Sequence, residues 1–173
     1  MRADARRNRE LIVEAALDRF AVSGPAASME EIARAAGLGV GTLYRHFPDR
    51  RALVEEIAGR SLRCLRTGLR SLAEQDLSRR DVIARYVDYC AGQPLALIKA
   101  LAEENEAPEE RLELQDELNG LLEALARQAQ EEGTVRGDIS PREVVELLSV
   151  VVCRPGARAD DALTKVTLDG LRA

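Results

Sequence analysis

The chain has 173 residues, 46% of them apolar, 32% charged and 3% aromatic, with a formal net charge of −5. That length suits one domain or two small ones, able to bury a core without staples; the few aromatics speak against a β-sandwich or barrel. No window reaches the roughly eighteen uncharged apolar residues of a membrane-spanning helix, so no membrane partner is expected.

Helical periodicity runs through almost every segment. Residues 5–22 place Leu11, Ile12, Ala15, Ala16 and Phe20 on one stripe, and Ser23-Gly24-Pro25 stops that helix. Ser28-Met29-Glu30-Glu31 reads as a capping box opening a second short helix, which ends at Gly37. Leu38-Gly39 leads into a third helix over 40–46, with Leu43 and Phe47 facing inward, and Pro48 breaks it. Asp49 caps a long fourth helix with the stripe Leu53, Val54, Ile57, Ala58, Leu62, Leu65, Leu69, Leu72, which Glu74 to Ser78 interrupts. Further helices are predicted over 79–91, after Pro94, over 108–132, over 141–152 behind the start signal Ser140-Pro141-Arg142-Glu143, and over 159–171. The fold class is therefore all-α. An N-terminal unit of short helices over 1–51 is followed by a helical bundle over 52–173.

Charge is spread unevenly. Residues 1–51 carry nine Arg against seven acids, whereas 52–173 carry sixteen basic against twenty-three acidic groups. This gives the N-terminal part a basic balance. Twenty-three of the twenty-five basic residues are Arg, which a GC-rich genome explains without nucleic acid. The start, Met1 to Arg7, has no apolar secretory segment. Cys64, Cys90 and Cys153 form neither a disulfide framework nor a CxxC zinc pattern. Both features predict a cytoplasmic location. Cys64 lies between Arg63 and Arg66, but such close neighbours do not share a helix face, so an inert buried thiol is predicted. His46 is the one His. With no nucleophile triad, paired carboxylates, phosphate loop or metal spacing, no catalytic residues, cofactor or metal are expected, and the chain is not read as an enzyme.

Two short helices joined by a Gly-containing turn are the pattern of a helix-turn-helix. Its reading helix would be 40–46, with Val40, Gly41, Thr42, Tyr44, Arg45 and His46 outward, a set suited to phosphates and base edges. The stretch Gly24 to Leu53, above all Gly41-Thr42-Leu43-Tyr44-Arg45-His46-Phe47-Pro48, closely resembles the DNA-binding domain of TetR/AcrR-type transcriptional regulators. The resemblance covers about the first third of the chain; the rest is similar in being all-helical and in its ending, Thr167 to Ala173.

The resemblance implies double-stranded DNA as partner. It makes Thr42 a base or phosphate contact, Tyr44 and His46 phosphate contacts, and Val40 and Gly41 the residues nearest the bases. It puts Arg50 at a phosphate near a helix N-terminus, where the family usually has Lys, and Ser28 at a second backbone contact. Gly39 replaces the usual Ser or Thr, Ala27 a common Thr, and Arg51 a frequent acid, which adds to the positive rim. Arg2, Arg6, Arg7 and Arg9 form either a phosphate-reaching arm or a solvated terminus.

The family pattern further implies a homodimer on a palindrome, acting as a repressor that a small-molecule effector releases. The dimer would form through the last two helices, with Val144, Val145, Leu148, Val151 and Val152 as a surface wider than one chain buries, extended by Leu163 and Val166. Candidate effector-lining residues are Leu62, Leu65, Leu69, Tyr86, Tyr89, Cys90, Leu97, Leu101, Leu118 and Leu122, each of which also fits ordinary core packing. The alternative is a helical interaction module of the same fold that lacks specific DNA binding or a ligand pocket.

Overall fold

The computed structural model describes residues 2–104 and 106–173. Among them are nine α-helices: α1 (Arg2–Ser23), α2 (Met29–Ala35), α3 (Val40–His46), α4 (Arg50–Ala73), α5 (Arg79–Ala91), α6 (Leu95–Glu103), α7 (Glu109–Glu131), α8 (Pro141–Val152) and α9 (Ala162–Gly170). No strand occurs among the described residues; one isolated antiparallel bridge pairs Val135 with Arg172. No helix among them is long and apolar enough to cross a membrane.

The helix starts follow local chemistry. Ser28 accepts from the Glu31 N–H, and the Glu31 carboxylate accepts in return from the Ser28 N–H. The same reciprocal box joins Ser140 and Glu143 at α8, with Pro141 as the first helical residue. Asp49, Ser78 and Asp161 cap α4, α5 and α9 with their side chains. Each cap satisfies amides that have no partner within the helix. Gly37 ends α2 at a φ of 69° that L side chains rarely adopt, which permits the tight turn into α3. The last helix is shorter than expected. Residues ahead of Asp161 form a turn because the Asp161 carboxylate accepts from the Arg158 and Thr164 N–H groups and pairs with Arg154. Those backbone donors hold that carboxyl far below the usual carboxylate range.

Two apolar cores result. The first joins Ile12, Ala16, Phe20, Ile32, Leu43 and Phe47 to Leu53, Val54, Ile57 and Ala58 of α4. It also takes in Leu101 and Ala102 of α6, with Leu97 and Ile98 packed beside them. The second runs from Leu62 through α5, α7 and α8 to Leu171. The cores therefore divide inside α4, between Ala58 and Leu62, and the first extends beyond residue 51. Leu97 and Leu101, read from the sequence as effector-lining, belong to the first core. Of the three thiols, Cys90 is buried and Cys153 half-buried, but Cys64, expected to be buried, is exposed. Cys64 lies on the side of α4 turned from its apolar stripe.

Leu101 is 1% exposed. Leu101→Ala should cost about 2–5 kcal/mol in urea unfolding. It should speed amide exchange in α1 and the first half of α4; faster exchange confined to α7 and α8 would assign α6 to the other core instead.

Candidate nucleic-acid interface

α3 is two turns long, and Leu43 and Phe47 anchor it in the first core. Residues advance about 100° per position along a helix. Arg45, two residues past Leu43, therefore stands nearly opposite the buried side and is exposed. Gly41 and Thr42 flank it one turn back, while Tyr44 and His46 occupy the two sides of the outward face. Tyr44 is exposed and His46 half-buried, and neither side chain has a hydrogen-bond partner among the described residues. Val40 is exposed, and a Cβ added at Gly41 would meet open space. Six of the sequence-predicted residues, Val40, Gly41, Thr42, Tyr44, Arg45 and His46, thus share one helix. Arg45 Nη2 donates to Thr42 Oγ1 at 2.9 Å.

The neighbouring cations are placed differently from expectation. The Arg50 guanidinium donates to the Pro25 and Ala27 carbonyls at 2.7 and 2.8 Å and lies 4.6 Å from the Phe20 ring centroid. It ties the α1–α2 connection to α4 and is occupied by protein, because those two carbonyls lie within reach of the first turn of α4 and would otherwise lack donors. Arg9 acts similarly. It pairs with Glu56 at 2.7 Å, donates to the His46 carbonyl at 3.4 Å, and stacks 4.5 Å from the centre of Phe47. The Arg9 contact holds the Glu56 carboxyl below the usual range. Arg51 is exposed and donates to the Glu106 carbonyl at 3.2 Å. The Ser28 hydroxyl is engaged in its cap, so a phosphate would have to compete with Glu31 for it. Arg6 and Arg7 are exposed within α1, which begins at Arg2, so they project from a helix and not from an extended arm. Sequence reasoning assigned Arg9 no structural task; its partners lie 37 and 47 residues away, and no local pattern signals them.

A concavity of about 950 Å³ opens between α4, α5, α6, α7 and α8. Of the expected lining residues, Leu62, Leu65, Tyr86, Cys90, Leu118 and Leu122 line it. Leu69 is buried farther along α4, and Tyr89 packs on Gly68, where the two helices approach so closely that a Cβ would meet the tyrosine ring at 2.7 Å. Charges around the rim are largely paired within the protein: Arg111 with Glu55, Arg142 with Glu146 and Lys99 with Glu103. Burial pushes the Cys90 thiol up to about 12, which keeps it protonated and unreactive.

The expected dimer residues need correction. Val144, Val145, Leu148, Val151 and Val152 are all buried in the second core of the single chain. α8 is apolar around much of its circumference, and α7 covers that side. The residues left outward are Leu147 and Val150 on α8, at 43% and 64% exposure, with Leu163 and Val166 on α9, at 45% and 69%. Thr164 donates its hydroxyl to the Arg158 carbonyl and, with the Asp161 cap, fixes the corner between the two helices.

A three-helix head with a buried core and an outward polar helix behind a Gly turn, on a helical body with its own core, defines the class of helix-turn-helix DNA-binding regulators. The comparisons narrow it. Residues 12–57 match the model of bacterial regulatory proteins of the tetR family, and residues 80–173 match the C-terminal domain of SbtR-like transcriptional regulators. The chain belongs to the TetR family of transcriptional regulators, a non-enzymatic class. A TetR transcription regulatory protein from Mycobacterium vanbaalenii is 30% identical, with 99% of each chain covered and a TM-score of 0.72. A TetR regulator from Streptomyces coelicolor is also 30% identical, covering 95% of this chain and 98% of that one, with a TM-score of 0.65. An HTH-type transcriptional regulator of Staphylococcus aureus is 37% identical over 90 residues, 51% of this chain and 49% of that protein. The match thus spans about half the length of this curated relative. A family regulator from Agrobacterium tumefaciens, 19% identical with a TM-score of 0.79, shares the fold.

Arg50→Ala removes two charge-assisted hydrogen bonds and a stacking contact. It should lower stability by about 2 kcal/mol, whereas Arg51→Ala should change it by less than about 0.5 kcal/mol, both read from chemical denaturation. Iodoacetamide should modify Cys64 in the native protein and Cys90 only after unfolding, as followed by peptide mass mapping.

Proposed function

We propose that the chain works as a homodimeric repressor that binds a palindromic operator and leaves it when a small molecule enters the α4–α8 cleft. The observation that carries this reading is the outward face of α3, where Tyr44, Arg45 and His46 are held by a packed head yet have no carboxylate partner among the described residues. A major groove accepts a helix of this size, with its central residues toward base edges and its flanks toward the phosphates on either side. Tyr44 and His46 sit on those flanks. Arg6 and Arg7 add positive charge from α1.

Pairing two heads requires a second copy, because one short helix spans only a few base pairs. The apolar face of Leu147, Val150, Leu163 and Val166 supplies a surface for it. Packing the same face of a partner against it makes a four-helix bundle about a two-fold axis, consistent with the symmetry of a palindrome.

The effector acts through helices shared by cleft and head. The cleft has an apolar floor with polar groups at its rim, which suits an amphiphilic small molecule. α6 lines it with Leu95 and Lys99 while burying Leu101 in the head, and α4 lines it with Leu62 and Leu65. Arg9 connects Glu56 of α4 to the carbonyl end of α3. A ligand that binds one spacing of the two heads better than the other shifts the population toward it.

Fluorescence anisotropy of the full chain on DNA flanking its own gene should show binding that outcompetes random duplex and weakens steeply as salt rises, because counterions are released from phosphates. Binding no tighter than to random DNA at every salt concentration would instead support a helical module that reads no sequence. Val166→Glu should convert dimer to monomer in sedimentation with the thermal unfolding midpoint preserved. Leu148→Glu, by contrast, should unfold the chain.

A further inference from the structure

Four arginines lie on the reading helix or on the helices beside it: Arg45 on α3, Arg9 on α1, and Arg50 and Arg51 on α4. Three are engaged by other parts of the protein. Arg9 is held by Glu56 and the His46 carbonyl, Arg50 by two carbonyls and Phe20, and Arg51 by the Glu106 carbonyl. Arg45 alone of the four has its one intramolecular hydrogen bond within α3, from Nη2 to Thr42 Oγ1 at 2.9 Å. It also stands at the centre of the outward face, nearly opposite Leu43, the position that would enter a groove deepest.

The Thr42 bond does something specific to that side chain. Arginine side chains on helices lean toward the preceding turn, and the Thr42 hydroxyl lies one turn back on the same face. The contact draws the guanidinium back along the outward face of α3, on which Gly41 is the other residue one turn back. That position has no side chain, and a Cβ added there would meet nothing within 4 Å. One N–H is used on Thr42, and four remain in a planar fork. A planar fork of fixed direction on the groove-facing side matches the O6 and N7 acceptors of guanine, which only a G·C pair presents in that arrangement. A freely rotating arginine on a flank would meet phosphates and carry no sequence information.

We infer that Arg45, aimed by the Thr42 hydroxyl, is the sequence-reading side chain of this regulator and selects a guanine in each operator half-site. This rests on the DNA-binding reading proposed above. Arg45 reads the base, Thr42 positions it, and Gly41 leaves the path open. The pairing of residues 42 and 45 thus sets one letter of the operator.

The test is selection of bound duplexes from a random-sequence library by the full-length chain, followed by affinity measurement on the selected site with each base substituted in turn. The wild-type chain should favour one guanine per half-site by about ten- to a hundredfold over the other bases. Arg45→Ala should flatten the preference at that position while leaving the others and the helical content unchanged. Thr42→Val should narrow the preference, and Thr42→Ser, which keeps the hydroxyl, should retain it. If Arg45→Ala weakens all sequences equally and lowers the salt slope by about one, Arg45 is a phosphate contact and the inference falls. A wild-type site with no guanine sensitive to Arg45 overturns it equally. Full discrimination by Thr42→Val removes Thr42 from the assignment. Absence of any salt-sensitive binding by the wild-type chain is a separate result, and it overturns the DNA-binding reading along with this one.

Discussion

The apolar stripe of α4 runs without interruption from Leu53 to Leu69, yet its side chains are buried in two different places. Its first two turns complete the core of the head, and its later turns form one wall of the body's core. A helix packed at both ends cannot tilt at one without disturbing the other, because close-packed interiors transmit displacement and do not absorb it. The rest of the molecule is arranged around that shared element. α6 reinforces it by burying Leu101 in the head while Leu95 belongs to the body. The Arg9–Glu56 pair ties α4 to the carbonyl end of α3, so the reading helix moves with its support.

The cations show how position and task separate. Arginine is abundant throughout, so abundance says little. What distinguishes the residues is whether protein groups already satisfy their donors. Arg50 closes the gap between two carbonyls that the α1–α2 turn leaves open, and the Phe20 face supports it from below. Arg9 stacks on Phe47 and holds two other elements. Each contributes to keeping the head rigid, and rigidity lets a short helix present its outer residues in defined directions.

Local features of the fold were legible in the sequence. The two capping boxes, the Asp49 cap, Gly37 and the inward pair Leu43 and Phe47 are set by residues within one or two turns of each other, so spacing alone reveals them. Features decided by distant partners were not. α8 carries Val or Leu at most positions, and its periodicity does not say which side α7 covers; the sequence reading therefore assigned to a partner the valines that the chain buries itself. Leu97 and Leu101 have the spacing of any amphipathic helix, and nothing local assigns them to a core assembled from residues about fifty positions earlier. Arg50 likewise read as a free charge, because its partners at Pro25 and Ala27 are backbone carbonyls without a sequence signature. The outward set on α3 was readable because it is defined by the same short helix that anchors it.

The presence of α6 in the head has a bearing on modularity. A boundary drawn after Ala58 follows the division of α4 between the two cores. A head transplanted at that boundary onto a foreign body would carry an open cavity where Leu101 and Ala102 belong, together with exposed faces of Ile57 and Ala58. Exchange of operator preference between regulators of this build is therefore better sought by changing the surface of α3 than by moving the head as a block. The unit that folds is larger than the unit that reads.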